Sequence, residues 1–486
     1  MITEERILKL PSCIKRTLLF LRKMRVPGIM VYLLISALAT IWFLVRVVPK
    51  PSRAAYPCMQ VAAPVMSGFI VWLLSVTGAA FAFKKAKNKL FEAKYIAAAM
   101  FAILGIGLVN LYITESEAKT NNNSLEIWYE PNVPLGIARG INPGRVTWGH
   151  NPKIASWDAL FSYFNKSKRN IDTGYKSGER VAIKINQNNT NAHESNNEIN
   201  ANPQLILSLL KSLVNEAGIP QGSITVTDPS RFLTNNIYDK CHTSYPNVHY
   251  VDHVGGEGRE LATFVENAIP YSVDNGKVAS GLAKCVVEAD YIINMALMKG
   301  HVSQGVTLCA KNFFGCTSIE ADWRKNTHSS GFSQHPDGLT TYSVYPDYMG
   351  HKNLGGKTVL FLIDGIYSNK FVNQTPAFKW VLAPFNNSWP CSLFASQDGV
   401  AIDAVVLDFI LAEWPDAPDM MYSDYSLNES ALANNPPSGT KYDPERDGIR
   451  LTSLGVSEHW NNPADKKYSR NLGKNNGIEL VPVEIK

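Results

Sequence analysis

The sequence predicts an α/β protein, a mostly parallel sheet with helices on both faces, preceded by three transmembrane helices. Three observations predict it. From Arg180 onward, short β-branched runs alternate with stretches of helical period, as in a largely parallel sheet. Nearly every one of those runs ends in polar, chemically capable residues. Upstream, three stretches lack charge for about the 20 residues a bilayer span requires.

Those stretches are Pro27–Val45, Val61–Phe83 and Tyr95–Ile113. A single one would also suit a buried helix or, at the N-terminus, a signal peptide. Three in succession, with no A-x-A-like cleavage site after the first, argue for a membrane domain over 27–114. The tail 1–26 carries Arg6, Lys9, Lys15, Arg16, Arg22, Lys23 and Arg25, and the loop after the second span carries Lys84, Lys85, Lys87, Lys89 and Lys94. The remaining loop has only Lys50 and Arg53. The asymmetry predicts a cytoplasmic tail and Lys84–Lys94 loop, with everything after Thr114 outside. The tail mixes Leu and Ile with cations, which suits either an interfacial helix on anionic membrane lipid or a plain topology signal.

Composition excludes some classes. The 486 residues carry a net charge of +5, much of it on the tail and the Lys84–Lys94 loop. No basic stripe with interleaved aromatics is present, so nucleic acid is not an expected partner. Seven cysteines include no CxxC, so neither a zinc ribbon nor an iron–sulfur cluster is expected. Six of the seven fall on the outer side, and their pairing stays open.

After a linker and turn-rich segment (115–179) with one short strand, "RVTWG", the α/β pattern occupies 180–415. Strands are expected at 181–185, 223–228, 247–252, 291–297, 357–365 and 391–398. Residues 202–218 form a helix with Leu205, Leu209, Leu210 and Leu213 on one face and Gly218 as its stop, and 399–414 form another. A C-terminal extension (416–486) follows, in which "SEHWNNP" (Glu458, His459, Trp460) reads as a strap that packs Trp460 on the domain.

In open parallel sheets the ligand crevice lies beyond the carboxyl ends of the strands. Lys184, Asn186 and Asn188 lie at or just past the end of the first strand, Asp228 and Arg231 of the second, Lys299 and His301 of the fourth, Asp364 of the fifth, and Gln397 and Asp398 of the sixth. Five strands are therefore expected to deliver these groups to one place. The aspartates also suit turns and helix caps. Lys184 inside an apolar strand does not, nor do Lys299, His301 and Lys311 within "LMKGHVSQGVTLCAKNFFGCTS", because near-buried lysines are rare unless paired. After "YIINMAL" the chain is expected to turn on Gly300 and enter a helix, "GVTLCAKNFFG", that carries Lys311 and Asn312. The group suits a carboxylate, phosphate or other oxyanion.

At these residues the sequence resembles the bacterial family called "domain of unknown function 362". The resemblance rests on "VAIKIN", "TVTDPSR", "MALMKGHVSQGVTLCAKNFFG", "FLIDGIY" and "FASQDGVAIDAVVLD", from about Val181 to Trp414. The segment 453–473 is similar to an ending in a longer, membrane-anchored subgroup; with the lysine and arginine asymmetry, the expected location is a bacterial inner membrane with the C-terminal domain periplasmic or extracytoplasmic. The resemblance brings no activity or catalytic residues with it. Some relatives carry ferredoxin domains; this chain has no matching cysteine motif.

Three functions fit these residues. In the first, an enzyme acts on an anionic small molecule or envelope component: Lys299, His301 and Lys311 are catalytic, with His301 moving a proton, while Lys184, Asn186, Asn188, Arg231 and Asn312 bind ligand. Asp228, Asp364, Asp398 and Asp403 would orient the cations or hold a divalent metal. In the second, a binding module uses the same pocket without chemistry. In the third, the chain is a structural partner of another membrane protein, with Gly78, Gly105 and Gly107 allowing close helix packing.

Overall fold

The computed structural model describes residues 130–483 apart from 150–156, 189, 196–198, 274–279, 302–304, 319–341, 372–376 and 418–419, together with Thr40, Val45, Phe81, Lys84 and Lys85. The three expected spans and the basic tail otherwise lie outside the described residues. Among the described residues no helix is long and apolar enough to cross a membrane. The chain divides into two units, Met1–Ser124 and Leu125–Lys486.

The second unit is an α/β fold built on a mixed sheet of ten strands. They are β1 (Arg145–Gly149), β2 (Val181–Lys184), β3 (Ile224–Asp228), β4 (His249–Asp252), β5 (Glu260–Leu261), β6 (Tyr291–His301), β7 (Gly305–Val306), β8 (Thr358–Asn369), β9 (Ser392–Ser396) and β10 (Glu479–Val483). Their spatial order is β10-β1-β9-β8-β6-β2-β3-β4-β5, with β7 a short antiparallel addition to β6. All neighbours from β8 through β5 run parallel, whereas β9 is antiparallel to both β8 and β1. The segments before 180 and after 415 contribute β1 and β10, which add one end of this same sheet with β10 as its edge.

Two apolar cores lie one on each face. Along β6 the alternation is strict: Ile292, Ala296 and Met298 enter one core, and Tyr291, Ile293, Met295 and Leu297 the other. Burial on both faces explains why the run is almost continuously apolar rather than alternating with polar residues.

Helix α1 (Trp157–Phe164), α2 (Pro203–Lys211) and α3 (Asn235–His242) cover the second of those faces. For α2, Asn202 caps the N-terminus by accepting from the Gln204 N–H at 2.9 Å, and Pro203 occupies the first turn. A wider turn (Ser212–Glu216) extends it to Gly218, which takes φ +69°. Its buried residues are Ile206, Leu209, Leu210 and Leu213, with Leu205 only partly buried.

The short α4 (Cys309–Asn312) and α5 (Tyr345–Gly350), then α6 (Gly399–Glu413) and α7 (Met420–Ala431), occupy the other face. Every residue of α6 from Gly399 to Leu411 is buried, so it is a core helix without a polar face. The C-terminal strap returns over it, with Trp460 edge-on to Phe409 at 5.0 Å. The five described cysteines form no disulfide.

Candidate functional site

The carboxyl ends of β2, β3 and β6 lie side by side, because Lys184 pairs in register with Thr227 on one side and Asn294 on the other. A pocket of about 360 Å³ opens there, with Lys184, Arg231, Lys311 and His301 on its walls and Asp228 as its carboxylate. Asn186, Asn188 and Asn312 line it as well.

Lys184 is 1% exposed, and its surroundings fix it. Its Nζ donates to Asn312 Oδ1 at 2.9 Å and to the Ile185 carbonyl, and it lies 3.4 Å from Asp228 Oδ1. Asn312 in turn donates to Asn294 Oδ1 at 2.8 Å and to the Lys184 carbonyl at 3.2 Å, which clamps α4 onto the ends of β2 and β6. Asp228 Oδ2 accepts from the Gln187 N–H at 2.7 Å. Arg231 reaches Asn188 Oδ1 at 3.3 Å. Lys311 extends from α4 over the Phe314 ring at 4.9 Å. Gly315 packs against that pair: a Cβ there would come 2.9 Å from both Lys184 Nζ and Asp228 Oδ1 and displace one of them.

The strand that carries Lys299 and His301 is longer than its sequence pattern implies. β6 does not turn at Gly300 but runs through His301, and Gly305–Val306 pairs back on it as β7. Gly300 is required because a Cβ there would meet the Lys370 carbonyl at 1.9 Å. The expected helix over 305–315 is reduced to α4 and a tighter turn, Phe313–Cys316. Lys299 therefore lies behind the pocket wall, 1% exposed, donating to the Ile199 carbonyl at 3.4 Å. Burial, aided by Arg231 and Lys184 and opposed by Asp228 and Asp364, lowers its pKa to about 7.

The four aspartates expected together are dispersed. β9 runs antiparallel, so Gln397 and Asp398 leave it at the opposite edge of the sheet. There Asp398 caps α6, accepting from the Val400 and Ala401 N–H groups on one oxygen and from those of Arg139 and Val456 on the other. Asp403 caps α4, accepting from the Cys309 and Ala310 N–H groups at 2.8 and 2.9 Å. Asp364 accepts from the Asn202 and Ile366 N–H groups. Among the described residues no three His, Cys, Asp or Glu side chains are grouped to hold a metal ion. A cation at Asp228 would also face Lys184 across 3.4 Å.

Thr307 also lines the pocket and escaped the sequence reading. It is 3% exposed, and its hydroxyl has no hydrogen-bond partner among the described residues. A buried donor without a partner is unusual. The signal available for it was its place just past the Gly305 turn.

The fold and site define an α/β protein with a cationic pocket at the carboxyl edge of its parallel strands. Residues 181–408 match the family model described as "Domain of unknown function (DUF362)", which supports that family for this segment. No curated protein and no solved structure matches the chain.

Proposed function

We propose that the protein is an enzyme that binds a small anionic molecule in the carboxyl-edge pocket and moves a proton on it. Lys184, Arg231 and Lys311 hold the negative charge, and His301 is the proton-transfer group. The supporting observation is the convergence of these four side chains and Thr307 on one pocket that, among the described residues, carries a single carboxylate, Asp228. Among the described lining residues three cations stand around one carboxylate, a balance that suits an oxyanion. Lys299 behind them, its pKa lowered to about 7 by burial, carries only part of its charge at neutral pH.

The test is mass spectrometry of small molecules released by denaturing the detergent-extracted full chain. The expected result is an anionic compound that the Arg231→Met/Lys311→Met variant no longer carries. An equal yield from the folded variant would remove the basis of this reading.

We also propose that the chain is anchored in the bacterial inner membrane by the segments 27–45, 61–83 and 95–113, with the domain after Thr114 outside. The lysine and arginine asymmetry supports this. Protease added to intact spheroplasts should degrade that domain, and its protection would reverse the orientation.

A further inference from the structure

We infer that a second pocket, at the opposite edge of the sheet, binds an amphipathic anion: a phosphate, sulfonate or carboxylate carried on an apolar body. The pocket is a cleft of about 760 Å³ that is open to solvent. It lies where β8 begins and β9 ends, whereas the Lys184 pocket lies where the parallel strands finish, so the two are separated by the length of the sheet.

Its two halves differ in chemistry. The floor is apolar, made by Val359 and Phe361 of β8 and Met349 of α5. The wall carries Arg139 and Lys168, with the Tyr163 hydroxyl beside them. Arg139 stands close enough to act against the charge of Lys168. Asp398, the acid that acts on Arg139, already accepts four backbone N–H groups, and no described carboxylate forms an ion pair with Lys168.

The loop that presents Arg139 is also fixed in place. The Gly140 N–H donates to Tyr163 Oη at 3.0 Å, the Ile141 N–H to Gln397 Oε1 at 2.9 Å, and the Arg139 guanidinium to the Ser453 carbonyl. Two like charges held over an apolar floor by an ordered loop favour an anion that also fills the apolar space.

Phenyl phosphate and inorganic phosphate are the probes, titrated by calorimetry into the full chain in detergent. The Lys311→Met background removes a cation of the other pocket. Phenyl phosphate should still bind there, at least about tenfold more tightly than inorganic phosphate. Adding Lys168→Met should weaken it at least about tenfold. Ser167→Trp, an exposed substitution at the pocket mouth, should block it while thermal melts stay unchanged. The inference is overturned if the Lys311→Met protein does not bind phenyl phosphate, if Lys168→Met and Ser167→Trp leave the affinity unchanged, or if inorganic phosphate binds as tightly.

Discussion

His459 Nδ1 meets Asp408 Oδ1 at 2.5 Å, and the far nitrogen of the same ring lies 2.7 Å from Asp424 Oδ1, so one imidazole ties α6 to α7. Burial works against its charge, but Asp408 and Asp424 together outweigh burial and raise its pKa from 6.5 to about 10. A group raised in the folded state gives stabilisation that is complete below about pH 6.5 and is lost as pH climbs through about 10. Lys299 acts in the opposite sense. Lowered from 10.5 to about 7, it gives stabilisation present above about pH 10.5 and lost as pH falls through about 7.

The two groups therefore oppose each other in one alkaline window, and single variants should separate them. Lys299→Met leaves the His459 dependence, so thermal stability of the full chain should fall between about pH 6.5 and 10. His459→Gln leaves that of Lys299, so stability should rise from about pH 7 upward, from a level about 3–5 kcal/mol lower at pH 7. Two variants with the wild-type slope would show that neither group has the environment described.

How far the sequence foresaw these sites depends on what each residue's setting requires. Strand cores were legible because burial on both faces demands unbroken apolar runs, as in Tyr291–Leu297. The end of that strand was not, because Lys299 and His301 look like loop residues and are buried only by the neighbours folded against them. Lys184, Asp228, Arg231, His301 and Lys311 were placed together by a rule about parallel strands, and the same rule misplaced Gln397 and Asp398. Strand direction is set by the chain's route between strands, which the residues of β9 do not encode. Asp398 is a helix cap, a role the sequence left open beside metal binding, whereas Asp403, expected only to orient cations or hold a metal, caps α4.

Lys184 and Asp228, 3.4 Å apart and both almost wholly buried, should show strong coupling. Lys184→Met leaves the carboxylate buried without its cation, an expected loss of about 3–5 kcal/mol. Asp228→Asn in the same chain should recover part of that loss. Chemical denaturation of the four members of the cycle gives the coupling energy. Additive losses would mean that the pair does not interact.

Thr307→Val separates stability from binding. The hydroxyl is buried without a partner among the described residues, and such a group costs about 1–3 kcal/mol. Valine keeps the shape, so the unliganded protein should melt at the same or a higher temperature. If the hydroxyl faces the ligand, the same variant should bind the co-purified anion about tenfold more weakly. A destabilised protein with unchanged affinity would show that the hydroxyl has a structural partner instead.

Lys311→Met tests the pocket most directly. The side chain extends from α4 across the Phe314 ring into the space shared with Arg231 and His301. As a ligand contact, it supplies a charge-assisted hydrogen bond worth about 1.5–3 kcal/mol, so affinity for the co-purified anion should fall by on the order of ten- to a hundredfold. The fold should survive, because removing one of several like charges relieves repulsion and methionine keeps the apolar contact with Phe314. The rival is a lysine whose charge serves the fold, in which case its loss would strand a buried carboxylate and destabilise the domain by about 3–5 kcal/mol. Melting curves and titrations on the same preparation distinguish the two: weaker binding at an unchanged melting temperature supports the ligand role, and a large drop in melting temperature with unchanged affinity removes Lys311 from the site.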